Sequence, residues 1–152
     1  MRLSRAVSFG SALAFSRHSL SSSSGNNAGC DAVINAVVVG GSGGSAGFPS
    51  GGFPYGQINI GNGVAGYGVS VATHVITHEL GHCIGFRHTD YTDRSYSCGG
   101  SVSNEGASSV GAIHIPGTPT TADPNSWMLA CIGSGQNRPF NANDVTALNY
   151  LY

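Results

Sequence analysis

The sequence contains no lysine, and its six arginines and seven acids make up only 9% of 152 residues. A formal net charge of -1 leaves no basic face to hold phosphates, so nucleic acid is not expected as a partner. No apolar run approaches the ~20 residues of a membrane-spanning helix, so no membrane partner is expected either. Also missing is any C-x-x-C pair among the four cysteines, which argues against a thiol-ligated zinc site. The glycine-rich stretch from Gly40 to Gly56 lacks a G-K-S ending and is no phosphate loop.

What is present is glycine, 24 of them, in a chain long enough for one domain with a real core. Cys30, Cys83, Cys98 and Cys131 are even in number, which fits one or two disulfides, an oxidising compartment and a secreted protein. Their connectivity is open, since Cys83 can reach either Cys98 or Cys131, and buried free thiols are the bland alternative. Cys30 also admits a minor reading as a zymogen switch on a metal.

The most informative stretch runs from His78 to Asp90 and contains H-E-x-x-H-x-x-G-x-x-H. Residues four apart on a helix lie one above the other, so His78 and His82 aim two imidazoles at one spot with Glu79 beside them. Gly85 can take the left-handed conformation that ends a helix, and the chain can then return His88 as a third nitrogen. Three imidazoles and one open position describe a catalytic zinc, whereas a structural zinc uses four protein ligands. Glu79 is then the candidate general base. His74, one turn earlier, is read as packing or support, because three histidines already suffice. A helix with merely buried histidines does not account for three of them and a glycine at these spacings.

This string, together with Ser126-Trp127-Met128-Leu129-Ala130-Cys131, resembles the metzincin clan of zinc endopeptidases. It is most similar to the dual-action HEIGH metallopeptidases, HEIGH reading HELGH here, and the likeness covers roughly residues 40–152. The resemblance implies His78, His82 and His88 as ligands, Glu79 as base and Met128 as the Met-turn residue beneath the metal. It also implies that residues 130–140 wall a substrate pocket. One departure is Ala130, which stands where astacins and serralysins resemble each other in having a tyrosine.

Along the chain, residues 1–29 read as a weak, disordered or truncated start, or as an interrupted signal peptide after Arg2 and Arg5. Residues 30–152 read as the catalytic domain. Asp31 to Val39 reads as a buried strand. Gln57, Ile58, Asn59 and Ile60 alternate polar and apolar, and by the resemblance they form the exposed edge that pairs with an extended substrate. Val69 to Phe86 reads as the active helix, capped by Ser70. Asp90 reads either as a hydrogen-bond partner of a ligand imidazole or as a solvated turn residue. His114 reads as a surface loop residue, and a calcium site built on so few acids is possible but unsupported. A last helix starts at Asn141, with Asp144 completing its cap.

The expected fold is α+β: a metzincin-like zincin domain with a small mixed sheet, an active-site helix, a Met-turn and a C-terminal helix. The expected function is a monomeric zinc endopeptidase acting on extended protein or peptide substrates. The alternatives are a zinc hydrolase of small acyl or formyl substrates and an inactive metal-binding pseudoprotease.

Overall fold

The computed structural model describes residues 13–15, 20–22, 32–106 and 112–152, so the readings on the signal segment and on Cys30 lie largely or wholly outside the described residues. Five strands form one mixed sheet: β1 (Leu13–Phe15), β2 (Leu20–Ser22), β3 (Ala32–Val39), β4 (Gly44–Ala46) and β5 (Gln57–Gly61). Their spatial order is β2-β1-β3-β5-β4. β3 runs parallel to β5, with Ala36 opposite Ile58, while β4 runs antiparallel to it, with Ser45 opposite Asn59. Residues 1–29 thus contribute two short strands to the sheet.

The alternation in β5 behaves as its sequence demands: Ile58 and Ile60 are buried, and Gln57 is exposed. Its position does not. β5 lies between β3 and β4, so its main-chain groups are paired on both sides and it is not an edge. The edge on that side is β4, a strand of Gly-Ser-Ala whose composition carries almost no strand signal. β3 also departs from expectation. Ile34 is buried, but Val37, Val38 and Val39 are exposed.

Helix α1 spans Val69–Cys83 and buries Val71, Ala72, Val75 and Ile76. It is entered through Gly68 at φ 90°, and the Ala72 N–H closes the first turn onto the Gly68 carbonyl at 3.1 Å. Ser70 therefore sits inside the first turn and is not the cap. The helix ends in a Schellman arrangement, the Phe86 N–H on the Gly81 carbonyl and the Gly85 N–H on that of His82. Gly85, at φ 111°, supplies the backbone conformation that arrangement needs.

The chain divides into two units, Met1–Phe86 and Arg87–Tyr152. In the second, a short helix α2 (Ser95–Cys98) precedes a long loop region, and α3 (Ala142–Leu151) closes the chain. Asn141 caps α3 in a capping box with Asp144, as the sequence predicts. Cys98 is bonded to Cys131, and Cys83 is a buried free thiol, which resolves the open pairing among the described residues. Among those residues no helix is long and apolar enough to cross a membrane. Helices and a small mixed sheet give the α+β class.

Candidate metal centre

The last turns of α1 carry His78 and His82, and His88 follows the Gly85 turn. One ligand atom from each of the three lies within 4.8 Å of the others. His78 and His82 are buried, and their rings meet edge to face at 4.7 Å. The Phe48 and His82 rings form a T-shaped pair with centroids 5.3 Å apart. His74 is buried with its ring 5.8 Å from that of His78, but it is not part of the converging group.

The outer nitrogens of two of these rings are occupied. His82 Nδ1 lies 2.7 Å from the Phe86 carbonyl, which can only accept, so Nδ1 carries the hydrogen and Nε2 keeps its lone pair. The Gly85 turn, which places Phe86, therefore also sets the tautomer of His82. His88 Nδ1 lies 2.7 and 2.9 Å from the two oxygens of Glu105, with the same consequence. Three imidazoles, two of them offering a bare Nε2, are a donor set that fits a transition-metal ion with room left for a further ligand.

Glu79 is 5% exposed, and burial pushes its carboxyl up to about 7. Its Oε2 has no hydrogen-bond partner among the described residues. The space beside it is kept by Gly44: a Cβ there would stand 2.5 Å from Glu79 Oε1 and 2.6 Å from its Cγ. Edge strand β4 thus passes close over the carboxyl group, and a side chain at Gly44 would force that carboxyl to shift. Cys83, next to His82 in sequence, points its Sγ at the Gln57 carbonyl at 3.6 Å, and burial together with the charge of Glu79 pushes its thiol up to about 12. Cys83 is not among the residues whose ligand atoms converge, which are His78, His82 and His88.

In the second unit Met128 is 2% exposed within the buried run Ser126–Leu129. Its carbonyl accepts from the Thr89 N–H at 3.0 Å, which ties this turn to the residue after His88. Asp90 fits neither of its two expected roles. It is 1% exposed and accepts from Ser97 Oγ at 2.6 Å and from the Ala130 N–H at 3.0 Å, so it braces the turn. The imidazole partner is Glu105 instead, fifteen residues further on, which no spacing in the sequence marks. His114 is on an exposed loop, its Nε2 2.9 Å from the Thr118 carbonyl.

A family model described as dual-action HEIGH metallo-peptidase matches residues 7–152. That match reaches more than thirty residues further toward the N-terminus than the likeness read from the sequence. No curated protein and no solved structure matches the chain.

Proposed function

The chain belongs to the dual-action HEIGH metallopeptidases, and from that premise we propose that it is a secreted, zinc-dependent endopeptidase in which Glu79 is the general base. The observation that carries the proposal is the pairing of a three-histidine cluster with a buried carboxyl whose Oε2 has no partner among the described residues. Zinc held by His78, His82 and His88 would supply Lewis-acid polarisation of the scissile carbonyl and acidify a water.

The protein's own part is proton transfer and placement. Glu79 takes a proton from the attacking water and passes it to the departing amine, so a single carboxyl serves first as base and then as acid. A carboxyl raised toward neutrality suits both halves of that task, because neither proton transfer is strongly uphill. Met128, in its buried turn, is the candidate Met-turn residue.

Substrate recognition moves from Gln57–Ile60 to β4, because β5 has no free main-chain edge. An extended peptide adding to β4 gains main-chain hydrogen bonds and passes over Glu79 by way of Gly44. β5 supports β4 from behind, with Asn59 Nδ2 donating to Ser45 Oγ at 3.2 Å. The Cys98–Cys131 disulfide is consistent with a secreted enzyme.

The test is zinc content on purified protein, with cleavage kinetics on the same sample. One equivalent of zinc is expected, and kcat/KM should be far higher for an eight-residue peptide than for a dipeptide or a formyl-methionyl substrate holding the same bond. Equal values across those substrates refute the endopeptidase reading, and absence of zinc refutes the metal assignment.

A further inference from the structure

His78 and His82 are oriented by the helix that carries them, but His88 lies beyond its end and needs another constraint. Glu105 faces the His88 ring through both carboxylate oxygens, at 2.7 and 2.9 Å from Nδ1. Arg94 Nε stands 3.1 Å from Glu105 Oε1, an ion pair rather than an aligned hydrogen bond.

The segment bearing Glu105 is itself strapped down. The Arg94 N–H donates to the Ser103 carbonyl at 2.8 Å, the Glu105 N–H to the Tyr91 carbonyl at 2.9 Å, and Arg87 Nη2 to the Gly106 carbonyl at 2.7 Å. Asp93 accepts weakly from the Ser103 N–H at 3.4 Å. Three close main-chain anchors within four residues hold the carboxylate against the ring, even though the His88 and Glu105 side chains keep 15% and 20% exposure. A surface carboxylate without such anchors would sample many rotamers and fix nothing.

We infer that Glu105, held by Arg94 and the 103–106 strap, is a positioning residue that locks His88 in its Nδ1–H tautomer and presents Nε2 to the metal. A carboxylate only accepts, so it selects the ring hydrogen it faces, and the opposite nitrogen is left bare. The inference rests on the metallopeptidase reading for its purpose, and on the His88–Glu105 contact for its substance.

The experiment uses the full chain and two readouts. Nitrogen-15 NMR of the metal-free protein at alkaline pH reports the ring tautomer, and chelator competition reports zinc affinity. Wild type should show Nδ1–H at His88. Glu105→Ala should shift the ring toward Nε2–H and bind zinc about 10–100-fold more weakly, the usual loss for an outer partner of a ligand histidine. Should Glu105→Ala fail to fold, Glu105→Gln replaces it on the same two readouts. Its amide can serve either tautomer, so a mixture and an intermediate affinity are expected. An unchanged tautomer, or an affinity within about twofold of wild type, overturns the inference. If wild type itself binds no zinc, the metal reading fails, and the tautomer comparison alone judges the role of Glu105.

Discussion

Ser126 donates its hydroxyl hydrogen to Asp144 Oδ1 over 2.6 Å, and both side chains are buried. The same carboxylate accepts from the Trp127 N–H at 3.1 Å and from the Asn141 N–H at 2.9 Å, both through Oδ2. Asp144 is therefore at once the third residue of a capping box and the anchor of the turn that carries Met128. Ser126 Oγ passes the order along by accepting from the Met128 N–H at 3.1 Å.

Replacing this anchor should loosen both elements. Asp144→Ala leaves buried donors at Ser126 and Trp127, and the half-buried Asn141 N–H, without an acceptor, and a loss of about 3 kcal/mol or more is expected. Urea unfolding of the variant measures it. A change below about 1 kcal/mol would mean that water replaces the carboxylate at little cost.

Asp144 also gives the stability a pH dependence of definite sign. Desolvation raises its carboxyl above the ordinary value of 3.8, helped by the charge of Asp123 and opposed by the hydrogen bonds from Ser126, Asn141 and Trp127. A folded-state pKa above the unfolded one means the native state holds the proton longer, so stability falls as pH rises through that window. Above the folded value the penalty is complete; below the unfolded value it is absent. Asp144→Asn does not titrate, so the stability advantage of wild type over this variant should be larger near about pH 3.5 than near about pH 7. Urea midpoints at both values check it, and a constant difference would contradict the raised pKa.

Glu79→Gln should separate chemistry from assembly. The amide keeps the shape of the carboxyl but cannot take a proton, so peptide cleavage should fall by about 10²-fold or more with zinc content unchanged. Near-normal turnover would mean that another group activates the water.

Gly44→Ala tests whether the space over Glu79 matters. The new Cβ would overlap Glu79 Oε1 and Cγ, and the carboxyl must swing away. A fall in kcat of about tenfold or more with zinc retained is expected, since small misplacements of a catalytic group are expensive. Gly43→Ala is the matched control, because nothing lies within 4 Å of its added Cβ. Equal activity of the two variants would remove the role given to Gly44.

How much of this was legible beforehand depends on the range of the interaction. The alternation of Gln57 to Ile60, the capping box at Asn141 and the left-handed turn at Gly85 are local, set within a few residues by pleat, cap and φ preference, and each is present. The histidine cluster is nearly as local, because helix pitch aligns His78 with His82 and one Schellman turn precedes His88.

The rest is decided by closure of long loops, for which a chain carries no periodic signal. Which strand is the edge depends on whether β4 pairs beside β5, and Gly-Ser-Ala does not announce a strand. Four cysteines permit several pairings, and only packing selects Cys98 with Cys131 across 33 residues. Asp90 and Glu105 both carry a carboxyl group and flank the same loop, but the turn at Met128 claims Asp90 through the Ala130 N–H. Only the 103–106 strap brings Glu105 to His88. Residue chemistry sets what each group can do, and tertiary structure decides which neighbour it does it to, because a hydrogen bond acts over about 3 Å whatever the separation in sequence.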